Sequence, residues 1–352
     1  MSVKTMGKIM VLTMLFQFGS LYLCARENHE SEMLLSNYSY SAGRELVGNI
    51  ICREKGLTLS NIKVNGIGAD VFGLKGNQLF VKKPHNKTAA KWYDVEITAE
   101  TAQGTLKDTF RIVNDQFIRN KVIAHRGAWK NTGASENSIA SLKHAVELGC
   151  QGSEFDVHMS SDSELFIHHD PDVNGISIAG TPAARLAQLK LSNGENLPTL
   201  QAYIKEGMQQ NKTKLILEIK PSELGKQYSI ALTHKVLNLI RDMKAEGWTE
   251  YISFDYDVCL ELKKLDPYAR IAYLNGDKSP EELAEDGLYG LDYHLGVLQS
   301  KADWISTAHQ KNLTVNVWTV NKADDMDWML EHKVDFITTN EPELLLKKIK
   351  GK

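Results

Sequence analysis

Two carboxylates and a pair of histidines stand out in the stretch Gly152–Asp170. Glu154 and Asp156 lie two residues apart in an apolar, strand-like run, and a second apolar run leads to His168-His169-Asp170. Side chains two apart on a strand point to the same face, so the two carboxylates are expected to project together. A solvated strand is the commoner setting for such a pair. It is less favoured here because so apolar a strand is expected to be buried, and buried charges need a partner or a metal ion.

The turn between the two runs decides which histidine joins the carboxylates. If Asp162-Ser163 forms a two-residue hairpin turn, Asp156 lies directly opposite His169. Directly paired residues share a face of the sheet. The sequence therefore predicts that His169, and not His168, faces the carboxylates, and this choice depends on the position of the turn.

Polar groups also follow several other strand-like runs. They are His125-Arg126-Gly127, Glu218-Ile219-Lys220, Trp318–Asn321 and Thr339–Pro342. Glu154, Asp156 and Glu218 together form an all-oxygen ligand set, which suits a hard divalent cation, Mg²⁺ or Ca²⁺. Polar groups at this many strand ends are difficult to attribute to solvation alone.

The remaining groups of this set suit the handling of protons and phosphate. An imidazole titrates near neutral pH, so His125 and His169 are suited to act as a proton donor and a proton acceptor, although each alone would more often be structural. Arg126 and Lys220 add positive charge that suits a phosphate. A metal, two histidines and two cations predict phosphodiester cleavage.

The elements that must position these residues follow a β/α alternation from Lys121 to the C-terminus. The predicted strands are Val122–His125, Ser153–Val157, Leu165–His168, Leu215–Ile219, Ile252–Phe254, Ile271–Leu274, Leu288–Asp292, Thr314–Thr319 and Phe336–Thr339. The gap between the second and third is too short for a crossover helix, so this pair counts once, as a hairpin. Eight strands with intervening helices over residues 121–352 predict a TIM (β/α)8 barrel. An open doubly wound sheet is less favoured, because no Gly-rich phosphate fingerprint follows a strand.

The preceding residues, 26–115, read as a small all-β sandwich. In Trp92–Thr101 apolar and polar residues alternate, a turn follows at Gln103-Gly104, and Leu106–Val113 runs back as a second strand. Val71–Val113 loosely resembles the last strands of a cadherin-like or Ig-like repeat. No catalytic grouping is visible in this module, so a spacer or a binding module for an unknown partner is expected.

The first 25 residues predict a secretory signal peptide. Lys4 and Lys8 precede an apolar stretch from Ile9 to Leu23, which is short for a spanning helix, and Cys24-Ala25 follows. Export to the periplasm or the cell surface is therefore expected. Cys24 leaves two readings open: a lipidated cysteine that tethers the protein to a membrane, or an unmodified one removed with the leader.

The bulk composition excludes some classes of partner. The 352 residues carry a formal net charge of −3 and contain no long Lys/Arg cluster, so binding to nucleic acid or to a membrane surface is not indicated. Only four cysteines occur, without a CxxC pair, which gives no support to zinc or thiol redox chemistry.

Read together, the motifs resemble those of the glycerophosphodiester phosphodiesterase family. They are HRGAWKNTGASENS, EFDVH, IHHDP, LEIKP, VNVWTVN and TTNEP, in family order from Lys121 to the C-terminus. The resemblance implies a metal-dependent TIM-barrel enzyme that hydrolyses glycerophosphodiesters to glycerol 3-phosphate and an alcohol. It implies metal ligands at Glu154, Asp156 and Glu218, an acid/base pair at His125 and His169, and phosphate contacts at Arg126 and Lys220. Trp318 is expected either as a wall against the glycerol moiety or as plain core.

The chain departs from the family pattern in its loops. Residues 172–181 lack the usual Arg-Thr-Thr stretch, which leaves the leaving alcohol open, and Asn340 stands where Asp is common. The attacking group, water or the glycerol 2-hydroxyl, is also left open. Two rival functions are a phospholipase acting on intact phospholipids or lysophospholipids, and a surface-binding protein with a vestigial barrel. The complete set of metal ligands and histidines argues against the second rival.

Overall fold

The computed structural model describes residues 33–41, 43–66, 68–82 and 90–351. The predicted signal peptide, residues 1–25 with Cys24, lies outside this range. From Val122 onward, eight parallel strands close into a barrel, with the last strand hydrogen-bonded to the first. In chain order they are Val122–Ala124, Gly152–Met159, Lys214–Ile219, Thr249–Ser253, Ile271–Tyr273, Gly290–His294, Thr314–Trp318 and Phe336–Thr339. The predicted TIM barrel is confirmed, and these strands are called barrel strands 1 to 8.

Helices cover the outside of the barrel between its strands. They are Ile139–Leu148, Ala183–Leu186, Leu200–Gly207, Lys226–Met243, Tyr256–Leu265, Pro280–Glu285, Leu295–Ser300, Asp303–Gln310, Ala323–Glu331 and Pro342–Lys350. Local sequence signals set several of the ends. Ser138 and Ser141 form a capping box at the start of the first helix, and Gly149 ends it in the left-handed conformation (φ 77°).

Barrel strand 2 continues past the barrel rim and folds back. Its end pairs antiparallel with the return strand Leu165–Ile167, as the hairpin prediction required. The chain then forms an insertion over residues 172–198, with the two-stranded pairing of Asp172–Val173 and Ile176–Ser177. A small apolar core holds this insertion against the barrel: Phe166, Val173, Ile178, Leu186 and Leu197. The insertion therefore sits on the return strand, beside the carboxyl ends of the barrel strands.

Two four-stranded sheets precede the barrel. One contains Met33–Leu35, Leu46–Cys52, Gln78–Val81 and Phe72–Lys75, and the other contains Ser39–Tyr40, Gly104–Asn114, Trp92–Thr101 and Ser60–Asn65. A short helix, Gly68–Val71, leads into Phe72–Lys75. Apolar residues from both sheets, such as Val47, Phe72 and Ile97, are fully buried in one common core. This is a small all-β sandwich, which we call the β-module; its likeness to cadherin or Ig repeats stays a prediction.

The β-module packs against the N-terminal end of the barrel, away from the carboxyl ends of its strands. Trp92 meets the buried Trp248 edge-to-face, with ring centroids 5.7 Å apart. Asn211 donates a hydrogen bond to the carbonyl oxygen of Asn114 at 2.7 Å. A side chain at Gly247 would lie within 2.9 Å of the carbonyl oxygen of Tyr38, so the two chains approach closely there. In the described ranges, no helix is both long and apolar enough to cross a membrane.

Candidate active site

Three carboxylates meet inside the barrel at the carboxyl ends of strands 2 and 3. Glu154, Asp156 and Glu218 each offer an oxygen within 4.8 Å of the others, and their exposed fractions are only 3, 1 and 6%. The parallel register of the two strands places Asp156 directly beside Glu218, and Glu154 lies two residues before Asp156 on the same face. The sequence therefore correctly predicted that these three side chains lie together.

The loop after barrel strand 1 donates hydrogen bonds to two of these carboxylates, Glu154 and Asp156. Arg126 adopts a left-handed conformation (φ 56°), and its backbone N–H donates to Glu154 Oε2 at 2.8 Å. Gly127 follows at φ 77°, where a Cβ would lie 2.3 Å from the hydroxyl of Ser141, so only glycine fits. Asn137 donates to Asp156 Oδ2 at 2.8 Å and accepts from the Asp156 backbone N–H at 3.1 Å.

Two cations face the carboxylates. The Lys220 ammonium lies 2.8 Å from Glu218 Oε1 and 3.3 Å from Asp156 Oδ1. The Arg126 guanidinium is held by both oxygens of Glu136 at 3.0 Å, and its Nε lies 3.8 Å from Asp156 Oδ2. Glu136 therefore braces Arg126.

The pKa values of the carboxylates reflect burial opposed by these cations. Burial, with the neighbouring carboxylates, raises the pKa of Glu154 well above its usual value and that of Glu218 to about 8. Burial also acts on Asp156, but Lys220, His169 and the Asn137 amide outweigh it and hold the pKa of Asp156 below its usual value. Three carboxylates thus share one buried site with incomplete charge compensation, which is the electrostatic setting of a cation site.

The first histidine, His125, stands at the end of barrel strand 1. Its Nδ1 lies 2.8 Å from Asn340 Oδ1, and its Nε2 lies 3.9 Å from Glu154 Oε2. Burial, followed by the charge of Arg126, lowers the pKa of His125 to about 4. His125 is therefore neutral near pH 7, with one ring nitrogen directed at the carboxylates.

The predicted turn of the hairpin is wrong by one residue. His158 pairs with Phe166 and Val157 with Ile167, so Asp156 lies opposite His168, whose backbone N–H donates to the Asp156 carbonyl at 3.1 Å. The loop contains three residues, Ser161, Asp162 and Ser163, and the last is left-handed (φ 69°), as in a three-residue hairpin with a bulge.

The strand-pairing argument for His169 over His168 therefore fails, and a role for His169 in the site stays a prediction. The charge of His169 contributes to the pKa values of both Asp156 and His125. Its Nδ1 lies 2.7 Å from Asp170 Oδ1, and its carbonyl oxygen is 3.1 Å from His158 Nε2. His168 lies 3.0 Å from the Asp170 carbonyl oxygen through Nδ1 instead.

An aromatic wall stands on the opposite side of the barrel mouth. Trp318, at the end of strand 7, is half-buried and donates its indole N–H to the carbonyl oxygen of Asp292 at 2.9 Å. Its ring meets Phe254 edge-to-face at 5.3 Å and His294 at 5.2 Å. Lys220 Nζ lies 5.9 Å from the Phe254 ring, which connects the wall to the carboxylate site.

Comparisons with known proteins agree with this arrangement. Residues 125–344 match the model of the glycerophosphoryl diester phosphodiesterase family. The chain belongs to this family. A solved glycerophosphodiester phosphodiesterase from Parabacteroides distasonis is 42% identical, with a TM-score of 0.65, over 67% of this chain and 98% of that one. A glycerophosphodiester phosphodiesterase from Caldanaerobacter subterraneus is 27% identical over 66% of this chain and 99% of its own length.

One further relative carries a ligand. The solved phosphodiesterase from Oleispira antarctica, in complex with its product sn-glycerol 3-phosphate, is 25% identical, with a TM-score of 0.55, over 65% of this chain and 96% of that one. These matches cover the barrel of this phosphodiesterase family member. The β-module lies outside the matched residues 125–344.

Sequence reasoning missed two contributors to the site of this phosphodiesterase family member. Asn137 contacts Asp156 through its side chain, yet an asparagine in a loop carries no signal of its own beyond the motif that contains it. Asn340 was singled out as a departure from the family pattern, and its side chain contacts His125. Phe254 directly follows barrel strand 4, so the rule that strand ends build the site would have identified it.

Proposed function

We propose that the protein hydrolyses glycerophosphodiesters to glycerol 3-phosphate and an alcohol, with a divalent cation and two histidines. The observation that carries the proposal is the buried triad Glu154, Asp156 and Glu218 beside His125 and His169. Membership of the phosphodiesterase family and the product complex of the Oleispira relative support the substrate class.

The residues fit a hard divalent cation, Mg²⁺ or Ca²⁺. The donor set is all oxygen, and Glu154 Oε1 is buried without a hydrogen-bond partner in the described structure. Lys220 compensates only part of the charge of three carboxylates. A cation bound there supplies Lewis-acid polarisation of a phosphate oxygen.

The two histidines differ in what their Nδ1 atoms contact, and this assigns their roles. His125 donates from Nδ1 to the amide oxygen of Asn340, so its Nε2 carries the lone pair and accepts a proton from the attacking hydroxyl. His169 donates from Nδ1 to the carboxylate of Asp170, which fixes the orientation of the ring and leaves Nε2 as the nitrogen that can deliver a proton. His169 therefore protonates the leaving alkoxide. The attacker is water, or the glycerol 2-hydroxyl by way of a cyclic phosphate, and ³¹P NMR of early reaction products distinguishes them.

Arg126 and Lys220 neutralise the phosphate in this proposal. Both side chains are mostly buried, and both already lie beside the carboxylates. Glu136 fixes the orientation of the Arg126 guanidinium. A guanidinium can donate two parallel hydrogen bonds to the oxygens of a phosphate. Trp318 and Phe254 then form the wall against which the glycerol carbons lie.

A panel of glycerophosphodiesters with EDTA and with added Mg²⁺ or Ca²⁺ tests the proposal. Turnover is expected to stop in EDTA and to return with one of the two metals. Glu218→Gln should lower kcat/KM by at least 100-fold and weaken metal binding, whereas Glu147→Gln, at a side chain that is 74% exposed, should change neither. Full activity in EDTA, or equal activity of Glu218→Gln, would overturn the metal-dependent mechanism.

One observation favours a second candidate, cleavage of lysophospholipids. A largely apolar groove of about 140 Å³ lies beside His158, between the insertion and the loop after Lys220, and includes Pro221 and the exposed Leu224. An acyl chain would have to occupy this groove. A higher kcat/KM for lysophosphatidylcholine than for glycerophosphocholine would favour lysophospholipid cleavage. Leu224→Asp should then reduce the activity on lysophosphatidylcholine and leave the activity on glycerophosphocholine unchanged.

Domain organisation and export are part of the proposal. We assign residues 26–115 to the β-module, 121–352 to the catalytic barrel and 1–25 to a leader, with export to the periplasm or cell surface and a membrane tether through Cys24 as one outcome. Mass spectrometry of the mature N-terminus and of attached lipid, in cells expressing the full chain, tests the leader and the tether.

A further inference from the structure

A large cavity lies away from the carboxylate site. A cavity of about 460 Å³, here called the floor cavity, opens at the N-terminal end of the barrel, opposite the active site. Inward-facing apolar side chains of the barrel strands form its walls: Ile123, Ile216, Ile252, Ala272 and Phe336. The Phe117–Lys121 segment, which joins the β-module to barrel strand 1, forms part of its mouth. The motif VNVWTVN contributes Asn316 to this cavity, but the proposed phosphodiesterase chemistry does not use it.

A carboxylate with an unused acceptor lies among the residues that line the floor cavity. Asp292 on barrel strand 6 is 1% exposed, and its Oδ2 accepts a hydrogen bond from Asn316 Nδ2 at 2.9 Å. Its Oδ1 has no hydrogen-bond partner within the described residues. A buried acceptor without a donor is costly, so a donor supplied by a ligand, such as a hydroxyl group, would be favourable there.

The same cavity is lined by four cations, Arg119, Lys121, Lys214 and Arg270, and by two carboxylates near its mouth, Glu250 and Asp335. The Lys214 ammonium donates to the Gly247 carbonyl at 2.7 Å, and the Lys121 ammonium donates to the Val334 carbonyl at 2.7 Å. Within the described ranges neither lysine forms an ion pair with a carboxylate. Arg270 pairs with Glu250 through one terminal nitrogen at 2.8 Å, which leaves its other N–H groups as donors.

Three of these cations enter the mouth from three separate elements. Lys121 precedes barrel strand 1, Lys214 begins strand 3 and Arg270 precedes strand 5. Donors that surround a mouth from several sides suit a tetrahedral phosphate, whose oxygens accept in different directions. The apolar walls and the single inner carboxylate do not suit a metal ion, which needs several oxygen ligands.

We propose that the floor cavity is a second ligand site, which binds a small phosphorylated polyol. The phosphate lies at Lys121, Lys214 and Arg270, the carbon chain lies along the isoleucine walls, and a hydroxyl group donates to Asp292 Oδ1. Sn-glycerol 3-phosphate has this chemistry, and so do other phosphorylated polyols. The site and the catalytic site are then independent, at opposite ends of one barrel.

Calorimetric titration of the full chain with sn-glycerol 3-phosphate in the presence of Mg²⁺ tests the site. Two binding events are expected for the wild type. Lys214→Met should weaken one of them at least 10-fold and leave kcat/KM for a glycerophosphodiester within twofold of wild type. Lys212→Met, at an exposed lysine two residues away, is the matched control and should keep both events. Lys121→Met tests the same mouth if Lys214→Met does not fold.

A second variant separates the two ends of the ligand. Asp292→Leu should weaken the floor-site event for sn-glycerol 3-phosphate but not for inorganic phosphate. If Asp292→Leu weakens the binding of neither ligand, or of both equally, the polyol assignment is overturned. If Lys214→Met and Lys121→Met weaken no wild-type binding event, the site itself is overturned. Because the readout is binding and not turnover, loss of the proposed phosphodiesterase activity in an assay would leave these results interpretable.

Discussion

The Nδ1 atom of His125 donates to the side-chain oxygen of Asn340 at 2.8 Å. Asn340 follows the last barrel strand and His125 follows the first, and these strands are paired in the closed barrel, with Thr339 beside Ala124. The acceptor is a neutral amide, whereas the other histidine, His169, faces the carboxylate of Asp170. Burial and the charge of Arg126 lower the pKa of His125 more than the hydrogen bond to Asn340 raises it, so the ring is neutral near pH 7 and, in the proposed mechanism, can accept a proton.

Replacing that amide with a carboxylate should change the pH dependence of the enzyme. In Asn340→Asp a negative charge beside Nδ1 stabilises the imidazolium and raises the pKa of His125 from its value of about 4. A histidine must be neutral to accept a proton. The loss of activity on acidification should therefore begin at a higher pH. We expect the acidic limb of the kcat/KM profile against pH to move up by about one unit.

Asn312→Asp, at the opposite end of the barrel, serves as the control and should leave the profile in place. An unmoved acidic limb in Asn340→Asp would show that His125 does not limit the rate at low pH. A limb that moves down would mean that Asn340 does not face the protonated nitrogen.

The adjacent histidines at the end of the return strand should differ sharply in their importance. His169→Ala is expected to lower kcat by roughly 10²–10⁴-fold with a poor alcohol leaving group, which is the usual contribution of a general acid. His168→Ala should change it only a few-fold, since His168 bonds to the Asp170 backbone. A substrate with a good leaving group, such as a nitrophenyl ester, should recover most of the His169→Ala loss but none of a folding defect. Equal losses in the two variants would refute the assignment of His169.

The sequence predicted most of the barrel because its signals are local. Apolar runs and helix caps define Ile139–Leu148 and Phe336–Thr339 at the bounds that the structure has. The clustering of the three carboxylates Glu154, Asp156 and Glu218 was also predictable, since alternation along one strand and the convergence of strand ends are general rules. Short strands such as Met33–Leu35 have no sustained alternation, so the sequence does not mark their bounds.

What sequence did not predict depends on the geometry of single turns and on long-range contacts. The hairpin register failed because Ser163 adopts φ 69° and Asp162 accepts hydrogen bonds from Ser160 and from the Ala183 backbone, which adds a residue to the loop. The contact of His125 with Asn340 spans 215 positions, and no periodicity or spacing announces it.

The contact between the β-module and the barrel should contribute to stability and not to catalysis. Trp248 is fully buried, and Trp92 covers it from the β-module. Trp92→Ala removes this edge-to-face contact and should lower the free energy of unfolding by about 1–3 kcal/mol, less than for a fully buried tryptophan because Trp92 is only half-buried. Urea unfolding should report the change, while kcat/KM at low temperature stays at the wild-type level. Tyr268→Ala, at an exposed aromatic residue, is the control.

Asp292 should make the protein less stable as the pH rises. Burial raises the pKa of this carboxyl from 3.8 in the unfolded chain to about 7 in the folded one. The folded state therefore binds more protons between these two values, so the contribution of Asp292 to stability is complete below about pH 4 and is lost as the pH rises to about 7. Asp292→Asn keeps the shape and the hydrogen bond with Asn316 but cannot ionise. Its free energy of unfolding should exceed that of the wild type by roughly 4 kcal/mol at about pH 8, and match it at about pH 4.

Urea unfolding at both pH values measures this difference, and Asp242→Asn, at an exposed carboxylate, controls for the loss of one charge. A gain that is equal at the two pH values would mean that Asp292 is ionised in the folded state at low pH, contrary to the burial argument. If sn-glycerol 3-phosphate occupies the floor cavity, adding it should reduce the gain of Asp292→Asn at about pH 8. The reason is that a hydroxyl donor then satisfies the wild-type carboxylate, so the ionised form no longer lacks a partner.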